Sequence, residues 1–330
     1  MCDKNLPLIQ KRVSFIGDPI SGSVMYVGKK LENMLDNLAG VTGCLVFVEE
    51  SMSIPPGLEQ KHQFVSTINP MLSYMKYAKK IADEILEQER YMKYRLTDGG
   101  YYVGENVSIG INVLIEPGVI LGHNISIGNN TTVLAGAVVK NATIGENCQI
   151  KEYALIGGQA FTMVTDEENK IQRIPCLGDI VIENCVEIGS FATICRGQNS
   201  STRICAYTKI DDHVHVGHDV VIEEKVLIAA GSVLGGYDHI GEGVYIGLNA
   251  SVKQMVTIEK GSFISMGARV TKDVSATDGV YGFPKVKVEL KLANKVKSIT
   301  QEAILSACRF IKTELDINAI DYYFTHYSSR

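Results

Sequence analysis

The sequence predicts a mainly β chain organised around a parallel β-helix, and three observations carry that prediction. Aliphatic residues recur at every sixth position through the middle of the chain. Two places before each, small or β-branched residues prevail, and the place after is often glycine or an acid. A helix cannot keep a six-residue period on one face, and a simple strand has a period of two.

From Ile204 the sixth residues are Ile210, Val216, Ile222, Ile228, Leu234, Ile240, Ile246, Val252, Ile258, Ile264 and Val270. An earlier run reads Val103, Ile109, Ile115, Leu121, Ile127, Val133 and Val139, then slips by one residue to Ile144, Ile150 and Ile156. It resumes at Ile182, Ile188 and Ile194. This is the signature of hexapeptide-repeat β-helices, in which each unit gives one short strand and a turn and three units close a triangular coil. The aliphatic residues are expected to stack inside, and the Gly, Asp and Asn-rich positions that follow them to take the unusual angles of the corners. The left hand of the coil is implied by resemblance to hexapeptide proteins.

Two interruptions leave this pattern. Gly157 to Asp179 is a long excursion with Phe161, Met163 and a charged tip at Asp166, Glu167 and Glu168, and Arg196 to Arg203 is a short one. A regular prism has few cavities, so a ligand site is expected where such a loop leaves the coil or where two prisms meet. A solvated loop is the alternative for the long excursion.

Before the repeat, Cys44 to Val48 and Phe64 to Ile68 read as strands. Asn69-Pro70 then opens a helix with Asn as cap and Leu72, Met75, Ala78, Ile81 and Ile85 as its apolar stripe. After Gly282-Phe283-Pro284, the positions Leu292, Val296, Ile299, Ala303, Ala307, Ile311 and Leu315 follow helical spacing. The chain thus divides into a small α/β domain over 1–98, the β-helix over 99–280 and a C-terminal helical tail over 281–330.

With 330 residues and 45% apolar content the chain can bury a sizeable core. A net charge of -5 without blocks of like charge gives no footprint for nucleic acid or an anionic membrane. No apolar stretch reaches a membrane span, and Met1 to Gln10 lacks the apolar run of a signal peptide, so a cytoplasmic protein is expected. The eight cysteines (Cys2, Cys44, Cys148, Cys176, Cys185, Cys195, Cys205 and Cys308) form no C-x-x-C pair and read as reduced, mostly buried residues.

The local residues resemble the UDP-3-O-acylglucosamine N-acyltransferase family of lipid A synthesis over nearly the whole chain. The segments that carry the resemblance are Lys209-Ile210-Asp211-Asp212 through Val216-Gly217-His218-Asp219-Val220, Ile174-Pro175-Cys176-Leu177-Gly178 leading to Val186-Glu187-Ile188-Gly189, and Phe15-Ile16-Gly17-Asp18-Pro19. The resemblance implies transfer of an acyl group from a pantetheine thioester, on acyl carrier protein or CoA, to the amine of a nucleotide-linked amino sugar. It also implies a homotrimer with a shared site, no bound cofactor, no metal, and His218 as general base. Such chemistry needs a base for the amine's proton and donors for the oxyanion on the thioester carbon. An imidazole suits the first task, and backbone N–H groups at Gly235 and Gly236 are candidates for the second. His218 is expected at an exposed corner of the prism. Phe15, Asp18, Tyr26, Phe161, Asp211, His239 and Gln254 are the candidate substrate contacts.

The sequence departs from that family at three places. Met255, beside Gln254, stands where the family keeps a second histidine, and Cys195 stands where it keeps an aspartate before Arg196-Gly197. Ser21 takes the place of the aromatic that sandwiches uracil with Phe15, leaving Tyr26 as a substitute. An acetyl-CoA-dependent N-acetyltransferase of another nucleotide amino sugar, serving a surface glycan, is therefore an alternative. A γ-carbonic-anhydrase-like zinc enzyme is another, since His213 and His218 have the ligand spacing of that class and His239 or His123 could be a third ligand. The same scaffold could also be non-catalytic.

Overall fold

The structure, a computed structural model, describes residues 12–280. The proposed helical tail over 281–330 lies outside the described residues, as do Cys2 and Cys308. The six remaining cysteines are free, with Cys44, Cys148, Cys176 and Cys195 buried and Cys185 and Cys205 partly so.

The chain opens with four parallel strands in sequential order, β1 (Arg12–Val13), β2 (Ser23–Val27), β3 (Leu45–Glu49) and β4 (Gln63–Thr67). Side chains alternate across this sheet, as the period of a strand requires. Val24, Leu45 and Phe47 face one core together with Leu72, Tyr74, Met75, Tyr77, Ala78 and Ile81 of helix α1 (Pro70–Glu89). Met25, Val27, Val46 and Val48 face another, closed by Leu35 and Leu38 from the 3-10 turns of Lys29–Gly40. Asn69 caps α1 by accepting the Leu72 N–H at 3.0 Å, and Pro70 fills the first helical position, as expected. The expected stripe ends one turn early, because Ile85 is 40% exposed. Tyr74 and Tyr77, outside the stripe, are buried because the sequence-remote hairpin of Met163–Thr165 and Ile171–Arg173 brings Val164 and Ile174 onto the same core.

From residue 102 onward the chain winds into a left-handed parallel β-helix with faces of eight, nine and nine strands, the third extended by the antiparallel strand Arg95–Leu96. Successive short strands step from face to face, and each pairs with the strand one coil on: Ile204 with Ile222, Ile210 with Ile228, Val216 with Leu234. The aliphatic ladder fills the interior, with Ile222, Ile240, Ile246 and Ile264 wholly buried. Only the opening coil frays, where Ile109 is 39% exposed.

The corners are not where the sequence places them. Left-handed backbone angles fall three residues after each aliphatic, at His213 (φ 59°), Asp219 (57°), Tyr237 (62°) and Met255 (62°) among others. The glycines directly after the aliphatic serve close approach instead. A Cβ on Gly217 would meet the nitrogen of Gly236 at 2.7 Å, and one on Gly235 would meet that of Gln254 at 2.3 Å. Among the described residues no helix is long and apolar enough to cross a membrane.

Besides hydroxyls at Thr131, Thr208, Ser232 and Ser262, the inward stack carries a carboxyl. Asp238 lies between Val220 and Val256 in the stack and is 1% exposed. Its Oδ1 accepts the Val256 N–H at 3.0 Å, while Oδ2 has no partner. Burial pushes its carboxyl up to about 7 from 3.8. The folded state therefore holds a proton that the unfolded chain releases near pH 4, so stability is full below that pH and falls as pH rises to about 7. The expected loss is at most about 4 kcal/mol, at ~1.4 kcal/mol per unit. Urea melts from pH 4 to 8 should show this decline in the wild type, and Asp238→Asn, which keeps the acceptor for Val256, should flatten it. Parallel pH profiles for both would show that Asp238 is not the source.

Candidate active site

The short excursion Arg196 to Arg203 folds around one carboxylate. Asp219 has a side chain with no exposure and accepts the backbone N–H groups of Gln198 (2.8 Å), Asn199 (3.1 Å) and Ser200 (2.6 Å) and the Ser200 hydroxyl (2.8 Å). The Thr202 hydroxyl accepts the Asp219 N–H at 2.9 Å. Four donors to one carboxylate make an anion nest, and such charge-assisted bonds are the strong ones.

The same carboxylate holds His218. Nδ1 lies 2.7 Å from Asp219 Oδ2, and because a carboxylate only accepts, Nδ1 carries a proton, which in the neutral form of the ring makes Nε2 the bare nitrogen. Nε2 lies 3.2 Å from the Thr162 hydroxyl, on the long excursion. Tyr237 meets the ring edge-on at 5.0 Å. His218 thus sits at a corner as expected, but its side chain is only 16% exposed, because the long excursion covers it. Directly beneath is Gly236, on which a Cβ would stand 2.5 Å from Nε2. The Gly236 N–H donates to no group among the described residues, and the absent Cβ of Gly217 leaves it uncovered. The Gly235 N–H is already spent on Val252, at 3.1 Å, so only one of the two expected oxyanion donors remains free.

A polar chain ties this dyad to the N-terminal domain. Tyr74 on α1 donates to Asn199 Oδ1 at 2.8 Å, and Asn199 Nδ2 donates to the Tyr237 hydroxyl at 3.0 Å. Burial first, and the Asp219 charge second, push the Tyr237 phenol well above its usual range. Tyr26 is raised by the same two causes. These hydroxyls stay protonated and act as donors or acceptors, not as bases.

Beside the dyad opens a cleft of about 950 Å³ between the Phe15–Ile20 loop and the prism. Arg12, Asp18, Asp179, Arg196 and Arg203 contribute charge to it, His239 lines it, and Asp219 and Tyr237 close its inner end. The imidazole of His218 is not part of the lining. Arg196 is anchored through Nε to the Gly178 carbonyl at 2.8 Å, and burial lowers its pKa. His239 Nε2 lies 3.0 Å from Glu223.

Of the residues expected to contact substrate, Phe15, Asp18 and His239 line the cleft and four do not. Phe15 packs against Tyr237 with ring centroids 4.6 Å apart and planes inclined by 37°, while the expected partner Tyr26 packs on Tyr74 at 5.1 Å. Phe161 is 85% exposed, with Arg173 over its ring at 5.7 Å. Asp211 braces the coil by accepting the Ala230 N–H at 3.2 Å. Gln254 is exposed, one coil beyond Gly235. Met255 stands over Gly236, whose carbonyl accepts its N–H at 3.0 Å. Cys195, in the family's aspartate position, lies 3.9 Å from His215 Nε2, and burial pushes its thiol up to about 11. His213 stacks on Phe191, and His123 accepts the Glu105 N–H at 2.9 Å. Among the described residues no three His, Cys, Asp or Glu side chains are grouped to hold a metal ion.

Sequence reasoning did not reach Asp219, Thr162, Tyr237 or Asn199. Asp219 had a signal in its adjacency to His218. Thr162 had none, since 56 residues separate it from the histidine.

The family described as "Bacterial transferase hexapeptide (six repeats)" matches residues 124–158 and 201–236, and "Hexapeptide repeat of succinyl-transferase" matches 102–135 and 239–272. Among individual proteins, the chain is 31% identical over 150 residues to the "Probable UDP-3-O-acylglucosamine N-acyltransferase 2, mitochondrial" of Arabidopsis thaliana, covering 46% of this chain and 49% of that one. It is 33% identical over 148 residues to the UDP-3-O-acylglucosamine N-acyltransferase of a Caulobacter species, covering 45% and 43%. The chain thus spans about half the length of these relatives. The solved structure of LpxA from Acinetobacter baumannii superposes with a TM-score of 0.51 at 25% identity, covering 58% of this chain and 72% of that one. The chain carries hexapeptide repeats on a β-helix and is similar over nearly half its length to UDP-3-O-acylglucosamine N-acyltransferases.

Proposed function

We propose that this chain is a cytoplasmic N-acyltransferase that moves an acyl group from a pantetheine thioester, on acyl carrier protein or CoA, to the amine of a nucleotide-linked amino sugar. The observation that carries the reading is His218, with Nδ1 fixed to Asp219 and a bare Nε2 beside the undonated N–H of Gly236. In that arrangement Nε2 takes the proton from the attacking amine, Asp219 stabilises the imidazolium that forms, and the Gly236 N–H donates to the oxyanion. The thioester carbon–sulfur bond then breaks, and the thiolate leaves with the proton that His218 returns. The cleft beside the dyad, with an aromatic pair at Phe15 and Tyr237 and the cations Arg12, Arg196 and Arg203, suits a base and a diphosphate. The similarity to enzymes named for an acylated UDP-glucosamine supports the same reading.

We extend the proposal to a homotrimer. Leu227, Tyr245 and Phe263 stack along one prism face at 46%, 37% and 45% exposure, and an apolar stripe of this kind on a rigid surface favours association with a second copy. Sedimentation equilibrium should give a mass of three chains, and a monomeric mass would overturn this assembly.

Incubation with UDP- and dTDP-amino sugars and either acyl-CoA or acyl carrier protein thioester should yield an amide. His218→Ala should lower its turnover by about 10²- to 10⁴-fold, the scale of losing an acid or base. Turnover near the wild-type rate in that variant would overturn the assignment. Asp219→Asn should cost about 1–3 kcal/mol of stability by removing a charged acceptor from buried donors. It should also move the neutral His218 proton from Nδ1 to Nε2 in ¹⁵N spectra; an unchanged tautomer would show that Asp219 does not set it.

A further inference from the structure

The turn that rests on Gly235 and Gly236 is closed differently from others along the prism. At several corners a backbone N–H donates to the carbonyl three residues back, as Val244 does to Gly241 at 3.3 Å, Ala250 to Gly247 at 3.2 Å and Ala268 to Ser265 at 3.2 Å. No such bond joins Val256 to Lys253. The Val256 N–H turns inward to Asp238 Oδ1 at 3.0 Å, one coil back, and the Lys253 carbonyl accepts no hydrogen bond among the described residues.

Two other turns are opened in the same way, and both are bridged by a threonine. Thr131 accepts the Cys148 N–H at 3.1 Å and donates to the Gly145 carbonyl at 2.9 Å. Thr208 accepts the Val226 N–H at 3.3 Å and donates to the Glu223 carbonyl at 2.8 Å. One buried side chain thus ties both ends of the turn on the next coil, and it needs a donor as well as an acceptor. Asp238 stands to Val256 and Lys253 as Thr208 stands to Val226 and Glu223, with the same separations along the chain. Its Oδ1 supplies the acceptor. Its Oδ2 is buried and meets no donor, so it completes the bridge only as a hydroxyl.

The bridged turn bears on the oxyanion donor. Met255 donates its N–H to the Gly236 carbonyl at 3.0 Å, and a Cβ on Gly235 would stand 2.3 Å from the Gln254 nitrogen. The aim of the Gly236 N–H therefore depends on where turn 253–256 rests.

We propose that Asp238 is a positioning residue: as a neutral acid it bridges the Val256 N–H and the Lys253 carbonyl and so seats turn 253–256 on Gly235 and Gly236. The inference rests on the acyl-transfer reading above. Burial keeps the acid neutral by pushing its carboxyl up to about 7, and the backbone N–H groups of Val256 and Gly235 act against that. The ionisable groups on the surrounding elements are Tyr237 and His239 on its own coil, Asp219 and Glu223 on the coil before, and Lys253 and Asp273 further along; none of their charges contributes. Loss of the proton sets Oδ2 against a carbonyl, two acceptors with nothing between them, and the turn loosens. Stability does not fall further above that pH, since the acid is then ionised in the folded and unfolded states alike.

The test follows amide formation from about pH 6 to about pH 9, with the chemical step limiting, in the wild type, Asp238→Asn and Asp238→Thr. Both variants carry a donor and an acceptor at every pH. The wild-type rate divided by either variant's should fall about tenfold between about pH 7 and about pH 8.5, as expected when one proton is required. Hydrogen exchange of the peptide containing Met255, corrected for its intrinsic pH dependence, should quicken over the same range in the wild type alone. A rate ratio that stays constant with pH would overturn the positioning role, and exchange identical in all three proteins would overturn the bridge. The exchange measurement uses no substrate. Absence of amide with every donor would overturn the acyl-transfer reading and the positioning role with it, while the exchange still decides the bridge.

Discussion

The stacking of one coil on the next is the constraint from which the rest of this structure follows. Each strand N–H pairs with a carbonyl one coil away, and the aliphatic ladder inside must keep step with that pairing. Extra residues cannot be absorbed in such a lattice without flipping side chains between core and solvent. They are expelled instead. Ile144 pairs with Ile182 and Ile182 with Ile204, so the coil closes over twenty surplus residues in the first case and four in the second. Both expelled segments reach the coil that carries His218 and Asp219. The long one brings Thr162 to the imidazole, and the short one wraps the carboxylate. The candidate site therefore lies where the regular lattice was interrupted.

A second consequence concerns strain. A non-glycine residue in the left-handed region costs about 1–2 kcal/mol. Asp219 pays this at φ 57° and in return turns its carboxylate into the nest of Gln198, Asn199 and Ser200. Hydrogen bonds to a charged group are each worth about 1.5–3 kcal/mol, enough to offset the corner. At His213 and Met255 the same geometry recurs without a nest, so there the stacking of coils alone holds the angle.

The β-helix was legible because its signal is a strict period, and Ile204 through Val270 keep it without a break. Helix α1 was legible from Asn69, Pro70 and four of its five stripe residues, since capping and periodicity are local properties. The corner positions were misread by two residues because two different demands look alike in sequence. Glycine after the ladder residue avoids a collision, whereas the left-handed residue comes later and is often not glycine. His218 was found through resemblance, and its half-burial was not, because the cover comes from a hairpin whose anchor, Val164 and Ile174 on α1, is a tertiary contact. Tyr237 in place of Tyr26 as the partner of Phe15 is of the same kind. Tyr26 was in view and Tyr237 was not, because only the docking of the N-terminal sheet on the prism brings Tyr237 to Phe15.

The link from Tyr74 through Asn199 to the Asp219 nest has a mechanical meaning. His218 and Asp219 are consecutive in one coil and cannot drift apart, yet the groups that fix the carboxylate are tethered by a single amide to a helix in the other layer. A displacement of α1 against the prism has to lengthen the Tyr74–Asn199 hydrogen bond or carry Asn199 with it. The seating of the N-terminal layer and the position of the carboxylate that orients the imidazole are therefore set by one connected run of hydrogen bonds.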